Sequence, residues 1–134
     1  MIYAFQDRVN LYLIMDYMPG GDLRFQIGRT EMFPEHVVKF FVCCILLSLK
    51  CLHENNIIHR DIKPENLIFD SKGYLRLTDM GVARIDSPKN QEDTSGTPGY
   101  MAPEVITRDQ HSFPVDFFAL GVIAYECMLG RVLI

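Results

Sequence analysis

His59-Arg60-Asp61-Ile62-Lys63-Pro64-Glu65-Asn66 stands in the middle of the chain, and Asp79-Met80-Gly81 and Ala102-Pro103-Glu104 follow it in that order. Between the first two motifs, Leu67-Ile68-Phe69 and Tyr74-Leu75-Arg76-Leu77-Thr78 are short apolar or alternating runs separated by Asp70-Ser71-Lys72-Gly73, the pattern of a β-hairpin. A turn centred between Lys72 and Gly73 puts Asn66 and Asp79 opposite each other at the open end, on strands about 4.8 Å apart. One cation would then touch both side chains. An amide oxygen and a carboxylate suit a hard ion such as Mg²⁺, which keeps several waters and takes further ligands from nucleotide phosphates. The pattern points to metal-assisted transfer from ATP.

Together the three motifs resemble the catalytic loop, metal loop and activation-segment end of eukaryotic protein kinases. The resemblance implies an α+β, protein-kinase-like fold, incomplete here. Residues 1–22 would be the last small-lobe strands and hinge, and residues 23–134 the first half of the mainly helical large lobe. It assigns Asp61 as the base for the substrate hydroxyl and Lys63 as a contact to the transferring phosphoryl group, with Asn66 and Asp79 at the metal. Lys63, with Gly96-Thr97-Pro98-Gly99-Tyr100 ahead of Ala102-Pro103-Glu104, looks like the serine/threonine branch, in which Thr97 braces Asp61 and Lys63. His59 is read as a packed structural imidazole under Met80. Met80 stands where the family has Phe and is expected to fill the same apolar slot.

Leu11 to Met15 reads as a strand that breaks at Asp16-Tyr17-Met18-Pro19-Gly20-Gly21-Asp22. By resemblance this is the kinase hinge, and its ATP-facing set is Met15, Asp16, Met18 and Asp22, with Ile68 beneath the adenine ring. Pro34 and Glu35 open a helix whose apolar residues from Val37 to Leu52 run almost all the way round, which predicts burial. A second helix is expected from Asp116 to near Gly130, with Asp116 as its cap. In kinases the matching Asp instead holds the catalytic loop from below.

Asp22, Glu65 and Glu126 match positions that receive substrate arginines in the group of cyclic-nucleotide-dependent and protein-kinase-C-like kinases, which implies a basophilic enzyme. Arg60 beside Asp61 is the arrangement in which a phosphorylated activation segment pairs with the Arg. The polar stretch Asp86 to Ser95 matches that segment, with Thr94 and Ser95 as phosphosites. Asp93 stands where the group has its usual Thr, and would supply a weaker, permanent charge.

With 134 residues and 49% apolar content, the chain is of single-domain size. Its net charge of −4, without basic runs interleaved with aromatics, argues against a nucleic-acid surface. The apolar run Phe40 to Leu49 is too short to span a bilayer, and the cytosol or nucleus is expected. Cys43, Cys44, Cys51 and Cys127 lack metal-ligand spacing and are expected as reduced core thiols. Nothing here matches a Gly-rich phosphate loop, the strand Lys or the helix Glu of a kinase small lobe, and the apolar end Arg131-Val132-Leu133-Ile134 would be poorly buried. The leading reading is a segment of an ATP-dependent serine/threonine kinase acting on proteins. The alternative is a non-catalytic kinase-like binding module. Either way the 134 residues alone are expected to fold poorly, because apolar surface is left uncovered.

Overall fold

The structure is a computed structural model that describes residues 2–87 and 93–131. The elements are β1 (Tyr3–Gln6), β2 (Leu11–Ile14), α1 (Leu23–Thr30), α2 (Glu35–Glu54), β3 (Ile57–Ile58), a 3-10 turn at Pro64–Asn66, β4 (Leu67–Phe69), β5 (Leu75–Leu77), β6 (Arg84–Ile85), α3 (Pro103–Ile106) and α4 (Pro114–Leu129). Strands pair antiparallel in twos, β1 with β2, β3 with β6 and β4 with β5, and helices carry most of the core, an α+β arrangement. Of the stretch Asp86 to Ser95, residues 88–92 lie outside the described residues, as do 132–134 at the apolar end.

Asp7 closes the first hairpin by accepting from the amides of Val9 and Asn10, both at 2.7 Å. Both strands of this hairpin are exposed, including Tyr3, Phe5, Leu11 and Leu13, so it presents apolar surface that none of the described residues covers. The segment after β2 is held by β4: the Gly20 amide donates to the Phe69 carbonyl (3.2 Å) and the Phe69 amide to the Gly21 carbonyl (2.9 Å). This approach requires glycine, since a Cβ on residue 20 would lie 2.4 Å from the Cβ of Phe69.

α1, absent from the sequence reading, is capped by Asp22, whose carboxylate accepts from the Phe25 amide at 2.7 Å. α2 packs on α4 and β5. Burial of α2 is one-sided, contrary to expectation: Val38, Phe41, Cys44, Ile45 and Leu49 enter the core, whereas Leu47 is 70% exposed. The packing partners in this chain cover only that face. By length and composition α2 would also qualify as a membrane span, longer than the Phe40 to Leu49 run suggested, but its buried stripe belongs to the main core cluster with residues of α1 and α4.

The cysteines follow the same division. Cys44 and Cys127 are buried, Cys43 and Cys51 are exposed, and all four are free, so core packing accounts for only the first two. Burial, with Glu126 adjacent, pushes the Cys127 thiol up to about 12, which makes it an inert packing group.

Ile62 is 1% exposed and packs in the core that contains Leu23, Leu49, Leu67 and Ile123. Full burial of such a side chain contributes roughly 1.5–3 kcal/mol. It therefore pins the loop at the residue between Asp61 and Lys63. The other walls of that loop are the β3–β6 pair, Ile57 opposite Ile85 and Ile58 opposite Arg84, and the start of α4.

α4 begins at Pro114, two residues before the expected start, and its N-cap residue Phe113 makes no side-chain capping bond. Asp116 is not the cap. It lies within the first turn, 1% exposed, and its carboxylate turns to the amides of His59 and Arg60 instead.

Candidate active site

The β4–β5 register is Leu67 with Leu77, Ile68 with Arg76 and Phe69 with Leu75, which centres the turn on Lys72 and corrects the sequence expectation by half a residue. Asn66 consequently faces Thr78, whose amide (2.9 Å) and hydroxyl (3.1 Å) both donate to the Asn66 carbonyl. Asp79 follows immediately with φ of 63°, an unfavourable region for a residue with a Cβ, and its carboxylate accepts from the Gly81 amide at 3.0 Å. Asn66 and Asp79 thus share one hairpin end without being paired residues.

Asp61 is the hub of the site. Its Oδ1 accepts from the Thr97 hydroxyl (2.7 Å), and its Oδ2 accepts from the Lys63 ammonium (2.8 Å) and the Asn66 amide nitrogen (3.1 Å). Lys63 also donates to the Thr97 hydroxyl at 2.8 Å, so one threonine bridges the acid and the cation. Burial pushes the Asp61 carboxyl up, but Lys63, Thr97 and Asn66 together hold it below its ordinary 3.8. The group is therefore ionised throughout the neutral range.

His59, fully buried, connects this hub to the hairpin. Its Nε2 donates to the Thr78 carbonyl (3.1 Å) and its Nδ1 accepts from the Asp61 amide (3.3 Å), which sets one neutral tautomer. Burial lowers its pKa below the ordinary 6.5, and a structural role follows. Met80, expected in an apolar slot, is instead 46% exposed in an open groove beside Leu52, Ile57 and Ala83, because the elements of this chain enclose it from one side only.

Arg60 holds φ of 69°, and Asp116 keeps it there by accepting from the amides of His59 (3.0 Å) and Arg60 (2.8 Å), while His53 donates to the same carboxylate at 2.9 Å. The Arg60 side chain, 2% exposed, donates from Nε to the Val82 carbonyl (2.8 Å) and from Nη1 to Asp93 (2.9 Å), and its Nη2 is buried with no partner among the described residues. Opposite it, Gly96 at φ of 133° would bring a Cβ within 2.8 Å of the Arg60 carbonyl. Thr94 is exposed and Ser95 half-buried next to this ion pair.

The hinge set lies along an open edge: Met15 and Asp16 are exposed, Met18 is half-buried, and Asp22 bridges to Ile68. Asp22 serves as the α1 cap. Glu65 and Glu126, read as receivers of substrate arginine, both hold Arg24: Nε donates to Glu65 at 2.8 Å and Nη1 to Glu126 at 2.5 Å. Tyr100 joins them, its hydroxyl donating to Glu126 at 2.5 Å and accepting from Arg24. The sequence reading missed Arg24, Tyr100 and the His53–Asp116 contact, and no spacing signal would have found Arg24, which reads as an ordinary surface residue of a helical turn.

The protein kinase domain model matches residues 1–134. The chain belongs to the protein kinase family. Within that family its relatives include a probable serine/threonine-protein kinase of Dictyostelium discoideum, 41% identical over 131 residues, and ribosomal protein S6 kinase alpha-1 of Homo sapiens, 43% identical over 130 residues, 96% of this chain and 18% of that protein. Ribosomal protein S6 kinase 2 alpha of Xenopus laevis gives 43% over 130 residues, and protein kinase 3 of Dictyostelium discoideum 39% over 140. The kinase-domain segment spans less than a third of these curated relatives, 18% and 15% of the last two.

Asn66 and Asp79 fit a Mg²⁺ by donor chemistry. Asn66 commits its amide nitrogen to Asp61, which leaves the amide oxygen as its ligand atom, and Asp79 offers an exposed carboxylate. Two protein oxygens suit an ion that keeps waters and takes phosphate oxygens. Among the described residues no group of three or more His, Cys, Asp or Glu side chains forms a metal cluster.

Proposed function

We propose that this chain is the catalytic segment of a serine/threonine protein kinase that transfers the γ-phosphate of ATP to protein hydroxyls, with Mg²⁺ held by Asn66 and Asp79. The observation that carries this reading is the closed set Asp61, Lys63, Thr97 and Asn66, in which a carboxylate is kept ionised and oriented by three donors. Asp61 would take the proton of the incoming hydroxyl, and Lys63 would shift from Asp61 to the transferring phosphoryl oxygens as charge spreads over them. Mg²⁺, when bound, neutralises phosphate charge. Met15, Asp16, Met18 and Ile68 would line the adenine side.

Regulation follows from Arg60. We infer that Asp93, which pairs with it, supplies the charge that orders this loop, and that phosphorylation of Thr94 or Ser95 adds to an arrangement already formed. Of the three acids on which a preference for substrate arginine would rest, Asp22 caps α1 and the others hold Arg24, so that preference is not part of the proposed function. A reducing compartment, the cytosol or nucleus, suits four free thiols, two of them exposed.

The test is phosphate transfer from labelled ATP to a Ser/Thr peptide library by the full chain that carries these residues, beside Asp61→Asn. Transfer lost in the variant with nucleotide binding retained is the expected result. Equal transfer by both proteins would end the assignment of Asp61.

A further inference from the structure

Arg24 occupies the place of a ligand. Glu126 is buried, with its side chain 4% exposed, and both of its oxygens are taken: Oε1 by Arg24 Nη1 at 2.5 Å, Oε2 by the Tyr100 hydroxyl at 2.5 Å and Arg24 Nη2 at 3.4 Å. Arg24 reaches Glu65 through Nε at 2.8 Å, so one guanidinium spans two carboxylates on two different segments. Geometry of this kind, a planar fork between facing acids, is how proteins bind an arginine side chain from another molecule.

The cluster also sits beside the reacting centre. Glu65 follows Lys63 by two residues, in the 3-10 turn that ends at Asn66. Tyr100 closes the turn that starts at Thr97, its amide donating to the Thr97 carbonyl at 3.1 Å, and Thr97 holds Asp61. An open groove lined by Arg24, Gly28, Glu31 and Glu126 borders the cluster. Through Glu65 and Tyr100 the cluster is tied to the two segments that carry and hold Asp61.

We propose that Arg24 is a specificity-determining residue that fills this acidic site from within, so that the enzyme accepts Ser/Thr peptides without an upstream arginine, and its removal creates an arginine requirement. The inference rests on the transferase reading above. Two carboxylates with one internal guanidinium leave a single net negative charge, and Glu126 offers no oxygen without a donor already on it. A substrate arginine gains little there while Arg24 is present. With Arg24 removed, it meets a preformed pair of acids and a Tyr100 hydroxyl.

The experiment compares two peptides that differ only by Arg or Ala two residues before the target Ser, with the full chain and its Arg24→Ala and Arg24→Gln variants. Charge-assisted hydrogen bonds of this kind are worth enough to change affinity about tenfold or more. The expected result is a kcat/KM ratio near unity for the unaltered protein and about tenfold or higher for both variants, carried by KM. Unaltered ratios in both folded variants, or a strong arginine preference already present in the unaltered protein, would overturn the proposal. Fluorescence anisotropy of the same labelled peptides separates it from the transferase reading. Tighter arginine-dependent binding by the variants in a protein that transfers no phosphate would sink the transferase reading and retain Arg24 in its role. Transfer that continues with neither binding nor transfer responding to Arg24 would remove this inference and leave the transferase reading standing.

Discussion

Asp116→Ala distinguishes a helix cap from a buried anchor. As an N-cap, the side chain would be worth about 1 kcal/mol. In the structure it is 1% exposed and accepts from the amides of His59 at 3.0 Å and Arg60 at 2.8 Å, with no other acceptor for either amide among the described residues. Leaving a buried donor unmet costs about 1–3 kcal/mol, so two of them cost roughly 2–6 kcal/mol, before the His53 contact is counted. For a domain of this size 1 kcal/mol moves the unfolding midpoint by about 3–4 °C, so a fall of roughly 6–24 °C is expected. Turnover should fall with it, because the left-handed Arg60 that precedes Asp61 is held by these bonds and would relax to an ordinary conformation. The assay is calorimetry of the full chain, following the transition of this domain, alongside phosphate transfer. A midpoint shift under about 4 °C with unchanged turnover would refute the anchor role and return Asp116 to the part of a simple helix-end acid.

Because Asp61 is held below its ordinary 3.8, its ionised form persists as pH falls, and the acid limb of the rate profile should not reflect this carboxyl above about pH 5. The stability it contributes is present above 3.8 and lost only as pH falls through the depressed folded value, so a midpoint that already declines on account of Asp61 near pH 6, judged against Asp61→Asn, would contradict the network. Asp93→Ala should lower transfer several-fold, whereas phosphatase treatment of the unaltered protein should leave most of its rate; the reverse pattern would assign control to Thr94 or Ser95. Gly20→Ala places a Cβ 2.4 Å from that of Phe69, which cannot rotate away, so a loss of about 1–3 kcal/mol and weaker nucleotide binding are expected, and an unchanged midpoint would show that the segment after β2 does not need its contact with β4.

The ordered motifs, the hairpin and the two long helices were readable because each rests on local pattern: turn residues, alternation and 3.6-residue periodicity act over neighbours in the chain. The same pattern misled where only one side of an element is covered. Val37 to Leu52 reads as an all-round apolar helix, yet only Val38, Phe41, Cys44, Ile45 and Leu49 are buried, and Leu47 is exposed. The hairpin centre shifted to Lys72 because Asp70 braces the turn through the amides of Lys72 and Tyr74, a choice made by side-chain geometry rather than by strand length. β3 and β6, two residues each, carry too little pattern to be seen at all.

By itself the sequence determined the chemistry available: Asp61, Lys63, Asn66, Asp79 and Thr97 in an order that brings an acid, a cation, an amide and a second carboxylate near one turn. Tertiary structure decided which acids are open to a substrate. Glu65 and Glu126 look equivalent as sequence positions, but Glu126 is buried and shares Arg24 with exposed Glu65, a residue 41 positions before Glu65 and 102 before Glu126. The same holds for Asp116, 56 positions from Arg60. A contact between residues so far apart depends on how helices pack, and helix packing is set by the summed burial of many side chains rather than by any local run of sequence.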